Sequence, residues 1–435
     1  MDFAPATHPL RQTLNDEVHA RRAVPVATPA RLSALTFWFG QDDSQQFAAL
    51  QRLCHALGLP PPQPGAVQHH AISSNGLEIA WSLHTEFVRY RFTCSGLEGD
   101  PFTDTAVAGL PPGWLRSVPG QVLVAQHAVL LPEEDAAPLD ELGERWLRRE
   151  DIIGADIADG AATVVTDLRL HHDVATDIPF TRLVIVNRNM KPQTSGRMMT
   201  RLFEIEIYRI LALLAFPIAR RQMRDLDRLD TQMRQLTRRL SSEQDDDHAL
   251  LRELSELAAE LEDSVAACQY RFSAARAYYQ LIERRISELR ERRIAGLQPY
   301  FEFMEQRLAP AIDTCHSTEQ RQNSLAERLQ RTLALIRTRV EVAQDSRTQL
   351  LLASMNRRAQ LQLRLQQTVE GLSVGVLTYY AVSLLAYASK ALKALGLPLN
   401  PDLVAGLAVA PLGLGMWWGM RRMRRRLERA PRAAD

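Results

Sequence analysis

Paired cysteines and known metal motifs are missing from this sequence of 435 residues. Its four cysteines, Cys54, Cys94, Cys268 and Cys315, lie far apart, which excludes a disulfide-rich fold and a zinc finger. The first nine residues contain no apolar stretch of the kind that forms a signal peptide. These absences predict reduced thiols and a cytoplasmic location for the residues before position 371.

Motifs of the common enzyme classes are missing too. The sequence has no glycine-rich phosphate loop, no Gly-x-Ser-x-Gly and no His-Glu-x-x-His. Two histidine doublets, at 69–70 and 171–172, are poor metal-ligand pairs, because adjacent strand residues point to opposite faces. We therefore predict no catalytic residue, no cofactor and no metal site, and a protein that is not an enzyme.

One N-terminal stretch, residues 8–21, is dense in histidine, arginine and acidic residues. Its candidates for a ligand-binding cluster are His8, Arg11, Glu17 and His19. The same pattern is typical of an ordinary capped helix with a solvated charged face, and both interpretations stay open.

The net charge of +1 hides a strong asymmetry along the chain. Residues 1–196 carry 15 basic against 23 acidic side chains, residues 197–370 carry 28 against 25, and residues 371–435 carry 9 against 3. The three regions predict an acidic domain, a near-neutral middle and a basic end.

Two uncharged stretches, residues 371–389 and 403–420, are the strongest signal in the sequence. Each approaches the ~20 residues that a helix needs to cross a bilayer. They predict a transmembrane hairpin (371–420), followed by a basic cytoplasmic tail (421–435). Arginines concentrate outside the hairpin, so both termini are expected in the cytoplasm of a bacterium with the hairpin in its inner membrane. The tail is expected to bind anionic lipid headgroups rather than nucleic acid.

Several residues of the hairpin are candidates for function. A carboxylate at the membrane threshold is either functional or an ordinary interfacial group, tyrosine hydroxyls inside a span need partners, and small residues four apart form helix contacts. The carboxylate is that of Glu370, and the tyrosines are Tyr379 and Tyr380. The small residues are Gly371, Gly375, Gly415 and Gly419.

The middle region, residues 197–370, shows helical periodicity almost throughout. Leu226, Leu229, Met233, Leu236 and Leu240 repeat at the spacing of a coiled-coil seam. A polar break at 241–248 predicts that two helical segments fold back as an antiparallel pair, with a third running into the membrane. The partner of this coiled-coil stalk is either the same chain, a second copy or a cytoplasmic protein.

Residues 1–196 predict an α+β domain with one mixed or mostly antiparallel sheet and helices on one face. Apolar or alternating runs predict strands at 32–39, 77–83, 87–92, 122–131, 163–170 and 181–186, and helices at 44–57 and 139–150.

The stretches 8–21, 84–92, 203–217 and 361–380 resemble an uncharacterised proteobacterial family of predicted membrane-anchored proteins with a domain of unknown function. The resemblance implies a membrane anchor and supplies no activity. The layout of domain, long helix and two spans is also similar to CorA-type cation channels. Their Gly-Met-Asn signature is absent, since residues 386–390 read Ala-Tyr-Ala-Ser-Lys.

Two hypotheses of function follow. The first is a membrane-anchored, non-enzymatic scaffold or sensor that acts through its cytoplasmic domain and stalk. The alternative is an oligomeric, CorA-like divalent-cation channel lined by the first span.

Overall fold

A computed structural model describes residues 7–12, 14–15, 23–40, 42–242, 246–394 and 400–428. The chain divides into two compact units, Met1–Leu333 and Ala334–Asp435. The first combines a sheet with helices, and the described residues of the second form helices except for Asn400.

A ten-stranded sheet forms the centre of the first unit within its described residues. The strands are β1 (Ala30–Trp38), β2 (Gln68–Ile72), β3 (Glu78–Leu83), β4 (Phe87–Ser95), β5 (Gln121–Pro132), β6 (Ile153–Ile157), β7 (Ala162–Thr166), β8 (His171–His172), β9 (Pro179–Asn187) and β10 (Arg292–Arg293). Their spatial order is β10-β6-β7-β9-β5-β1-β4-β3-β2, and β8 pairs with β9. The β5–β9 pair is parallel and the other pairs are antiparallel, so the predicted mixed sheet is confirmed.

The helices are mostly C-terminal to the sheet. They are α1 (Gln46–Ala56), α2 (Trp114–Ser117), α3 (Leu139–Trp146), α4 (Pro192–Leu213), α5 (Ala215–Leu240), α6 (Asp247–Leu289), α7 (Tyr300–Arg307), α8 (Ala309–Ala394) and α9 (Pro401–Glu428). An α+β region followed by long helices is therefore confirmed.

Helices cover both faces of the sheet, so the prediction of helices on one face was wrong. On one face, Met199 and Leu202 of α4 pack with Leu32 of β1. On the other face, α1 packs against β1 and β4, and α3 packs against β5 and β9. The reason is visible in β1 and β5, which bury apolar side chains at both odd and even positions and therefore on both faces.

The predicted antiparallel pair of helices is confirmed in α5 and α6. Arg239 near the end of α5 bonds Glu253 near the start of α6 at 2.6 Å, and Arg228, earlier in α5, pairs with Glu260. The first turns of α8 join them, since Arg328 of α8 bonds Asp230 of α5 at 2.9 Å. A supercoiled stalk and the predicted boundaries at 196, 370 and 420 stay predictions.

In the second unit, α9 packs against the C-terminal half of α8. A methyl group added at Gly413 would lie 3.6 Å from Cγ2 of Thr378. Leu377 of α8 lines an apolar groove of about 360 Å³ together with Pro411, Gly415 and Gly419 of α9.

Candidate functional site

The candidate residues of the apolar helices do not gather into one site. The rings of Tyr379 and Tyr380 pair edge to face at 5.9 Å and are 70% and 61% exposed. A methyl group added at Gly371 or Gly375 would meet no described atom within 4 Å. The side chain of Glu370 lies outside the described residues. The functional roles predicted for these residues stay predictions.

The N-terminal cluster is only partly described. The Nδ1 atom of His8 accepts a hydrogen bond from the backbone N–H of Leu10 at 3.2 Å, and Arg11 is exposed. Glu17 and His19 lie outside the described residues. The contact made by His8 is that of a residue at the start of a helical turn.

A cavity of about 580 Å³ opens near the N-terminal ends of the parallel strands β5 and β9. Gln126 of β5 pairs with Thr181 of β9, so β5 begins several residues before its parallel partner. The second half of α4 and the segment after β7 complete the wall. The volume lies in the ~300–1,000 Å³ range of small-molecule sites. The lining residues are Val122, Leu123, Val124, Ala125, Arg148, Leu168, Arg169, Leu170, Ile178, Pro179, Thr181, Glu206, Arg209 and Ile210.

A bidentate ion pair on α4 forms part of the cavity wall. Nε and Nη2 of Arg209 donate to the two carboxylate oxygens of Glu206 at 2.7 and 2.6 Å. Burial by itself lowers the pKa of the Arg209 guanidinium, but the adjacent carboxylate raises it above its usual value. The pair is therefore charged, and it brings no net charge to the cavity.

Two further arginines, Arg148 and Arg169, are exposed where they line the cavity. Arg169 donates to both oxygens of Asp151 at 2.8 and 3.0 Å. The backbone N–H groups of both arginines donate to the buried Asp167 at 2.8 and 3.0 Å. Burial raises the pKa of Asp167, but these bonds and a bond from His171 lower it below its usual value overall. Asp167 thus fixes the backbone from which both arginines project.

A buried serine–histidine–aspartate chain lies two residues further along β5. Oγ of Ser33 lies 2.8 Å from Nδ1 of His127, and Nε2 of His127 lies 3.2 Å from Oδ1 of Asp173. The imidazole stacks on Phe180 with ring centres 3.8 Å apart. Burial lowers the pKa of His127, although Asp173 opposes that shift. A neutral imidazole therefore donates to Asp173 and accepts from the serine hydroxyl.

Ser33, His127 and Asp173 are the residue types of a hydrolase triad, but the serine hydroxyl is not accessible to a substrate. Ser33 is fully buried, so its hydroxyl cannot reach a substrate carbonyl in this conformation. Asp173 also accepts from the backbone and hydroxyl of Thr176, at 2.9 and 2.7 Å. These hydrogen bonds therefore connect the turn after β8 to the centre of the sheet. The same turn leads to Ile178, which lines the cavity.

Metal ligands and membrane-length helices give two further observations. Among the described residues, no three histidine, cysteine or acidic side chains come together as a metal-ligand set. Two helices, within Tyr300–Leu392 and Pro401–Arg422, are long and apolar enough to cross a membrane, and the 18-residue apolar stretch of each has a mean hydropathy of 1.5.

Comparison with protein families gives one match over nearly the whole chain. Residues 6–427 match the family described as "Protein of unknown function (DUF3422)". The chain belongs to this family. The predicted membership of an uncharacterised family is confirmed, and the family description supplies no activity for DUF3422.

Other comparisons add little to the family assignment. No curated protein matches the sequence significantly. A solved structure, "structure of the full-length CmaX protein", is 16% identical over 69% of this chain and 89% of its own, with a TM-score of 0.15. That score is too low to establish a shared fold, so no functional argument follows from it.

Sequence reasoning missed the cavity because its arginines come from three separate segments. Arg148 follows α3, Arg169 follows β7, and Arg209 lies in α4. Only Glu206 and Arg209 gave a local signal, since residues three apart on a helix are neighbours. The other residues are brought together by the pairing of β5 with β9 and by the hydrogen bonds that Asp167 accepts.

Proposed function

We propose that this chain is a non-enzymatic sensor or scaffold of the bacterial inner membrane, anchored by α8 and α9. The observation that carries the proposal is the exposure of the apolar side chains on these helices. Within the membrane-length windows, 0% of the residues in α8 and 6% in α9 are buried. A core helix of a soluble protein buries most of its apolar surface, whereas a bilayer solvates such a surface directly.

Charges and aromatic residues at the helix ends support the same placement. The guanidinium groups of Arg421 and Arg422 lie over the rings of Trp417 and Trp418, at 4.8 and 5.1 Å. Tryptophan and arginine side by side are typical of a membrane interface. In this proposal the arginines after Met420 contact anionic lipid headgroups, both termini are cytoplasmic, and residues 390–402 face the periplasm.

Cysteine labelling tests this topology. A membrane-impermeant maleimide should label an Asn400→Cys variant in intact spheroplasts. A matched Gln344→Cys variant should be labelled only after permeabilisation. The native Cys54, Cys268 and Cys315 are buried and Cys94 is half-buried, so both variants are made in a Cys94→Ser background. Labelling of Gln344→Cys but not of Asn400→Cys in intact spheroplasts contradicts the proposed orientation.

The sensor or scaffold role is supported by the cavity and by the exposed surface of α8. Leu350, Leu361 and Leu365 are exposed ahead of the first proposed span, and exposed apolar residues in series are typical of partner surfaces. The expected partner is a second copy of the chain or a cytoplasmic protein. Crosslinking in cells should yield one reproducible partner or homo-oligomer, and a purely monomeric chain without adducts contradicts the role.

The alternative, an oligomeric CorA-like cation channel, is favoured by one observation. The hydroxyl-bearing Tyr379 and Tyr380 are exposed within the first proposed span, and polar groups at that depth need partners from other helices or a water-filled pore. Reconstituted vesicles should then conduct Mg²⁺, Co²⁺ or Ni²⁺. Absence of flux for all three ions removes this alternative.

A further inference from the structure

We propose that the cavity between β5, β9 and α4 binds a small amphiphile with one negative charge, of the class of medium-chain carboxylates. This inference rests on the proposed sensory role and names its ligand. The amphiphile is held by an apolar wall and by one arginine whose charge is not neutralised by a hydrogen-bonded partner.

The apolar wall supplies the first part of the argument. Val124 and Ile210 face the cavity from the strand and the helix, and Ile178 faces it from the turn before β9. Leu170, which also lines the cavity, is 60% exposed. Burial of apolar ligand surface against such side chains contributes about 25 cal/mol per Å². An alkyl chain fits this wall, whereas a fully polar ligand does not.

The charges supply the second part. Three arginines line the cavity, and two of them have bidentate carboxylate partners, Glu206 for Arg209 and Asp151 for Arg169. Arg148 acts on Asp151 electrostatically, but within the described chain its guanidinium has no hydrogen-bonded carboxylate. The guanidinium of Arg148 is therefore left to bind the ligand.

The position of this charge orients the ligand. Arg148 and Arg169 are exposed at the opening, whereas Glu206 is buried. A carboxylate at the opening accepts charge-assisted hydrogen bonds from Arg148, and the alkyl chain lies inward against Val124 and Ile210. A cationic amphiphile is repelled by the same arginines.

Photo-crosslinking on the full chain in lipid nanodiscs tests the ligand class. The probe is octanoate carrying a diazirine at its alkyl end, and empty nanodiscs provide the background. We expect adducts on peptides that contain residues 122–125, 168–181 or 206–210, with loss of these adducts in excess octanoate. Octyltrimethylammonium and 1-octanol should not compete.

Three outcomes overturn the inference. Equal competition by 1-octanol means that the charge has no role. Stronger competition by dihexanoyl phosphatidate than by octanoate identifies a lipid headgroup instead of a free carboxylate. Absence of cavity adducts from a chain that stays in nanodiscs overturns the ligand but leaves the proposed anchor intact. Failure of the chain to enter nanodiscs counts against the anchor, and the cavity is then probed in buffer.

Variants sharpen the result. Arg148→Gln should weaken octanoate competition about tenfold, since it removes a charged hydrogen-bond donor. Arg149→Gln is the matched control, because Arg149 is also exposed, pairs with Glu144 and does not line the cavity. Ile210→Trp should reduce the adducts by narrowing the cavity beside the apolar wall. Equal competition in the Arg148→Gln and Arg149→Gln variants contradicts the assigned role of Arg148.

Discussion

The two units of the chain differ in how far their leucine side chains are exposed. Leu202 of α4 is 1% exposed beneath the sheet, whereas Leu384 of α8 is 70% exposed. Both residues lie in long helices, so helix propensity does not explain the difference. The first unit encloses its apolar side chains, and the second presents them outward, which in water is unfavourable by about 25 cal/mol per Å². This exposure is what the proposed membrane anchor predicts for the second unit.

Charges differ between the units in the same way. In the first unit, the buried Glu86 before β4 accepts from Arg271 at 2.8 Å and from the hydroxyl of Tyr278 at 2.5 Å. These bonds join the sheet to α6. In the second unit, residues 371–389 and 403–420 contain no charged side chain. The interior of the first unit thus contains charged side chains that are paired, whereas the proposed spans contain no charged side chain.

The largest expected effect comes from breaking the buried pair. Arg271→Met leaves the Glu86 carboxylate, which is 2% exposed, without its cation. Loss of one partner of a buried pair costs about 3–5 kcal/mol, and we expect the free energy of unfolding of the first unit to fall by that amount. Urea unfolding of the full chain in nanodiscs, followed by tryptophan fluorescence, measures it.

The matched control lies on the same helix. Arg276→Met removes the exposed cation that pairs with Glu319, and surface pairs contribute at most about 1 kcal/mol. Adding Glu86→Gln to Arg271→Met should restore part of the lost stability, because the remaining group is then neutral. Equal losses for Arg271→Met and Arg276→Met contradict the role assigned to the buried pair.

A second pair of variants compares the units directly. Leu202→Ala should lower the free energy of unfolding by about 2–5 kcal/mol, since it leaves a cavity among packed side chains. Leu384→Ala should leave the unfolding midpoint of the first unit unchanged, because this leucine belongs to the second unit and its side chain is 70% exposed. The same urea titration measures the stability of both variants. A large effect of Leu384→Ala shows that this leucine is part of a protein core.

The smallest expected effect is a pH dependence centred on His127. Its pKa is lowered in the folded state, mainly by burial, so the unfolded chain binds the proton more readily. The contribution of this group to stability therefore falls as pH drops below roughly 6.5. His127→Gln should lose less stability than the native chain between pH 7.5 and 5.5. Identical losses in both chains remove His127 as a source of acid sensitivity.

Much of the fold was predictable from local pattern. Predicted strands at 32–39 and 122–131 correspond to β1 and β5, because long apolar runs leave few alternatives. The sequence pattern did not predict β6, because Gly154 interrupts the run of apolar side chains that indicates a strand. A methyl group there would lie 2.6 Å from the carbonyl oxygen of Val164, so close strand packing requires glycine at this position.

The candidate site was less predictable than the fold. Ser33 and His127 are 94 residues apart and meet only because β1 and β5 pair in register. Neither residue lies in a recognisable motif, and a polar residue in an apolar strand gives no indication of its partner. The cavity depends in the same way on where β5 and β9 begin relative to each other.

Alkaline extraction of bacterial membranes tests the central claim most directly. If lipid is the solvent of residues 371–389 and 403–420, the intact chain stays in the pellet at pH 11 and is released only by detergent. A chain truncated before residue 371 should move to the supernatant if it folds. Recovery of the intact chain in the soluble fraction, without detergent or alkali, contradicts the membrane anchor and the topology derived from it.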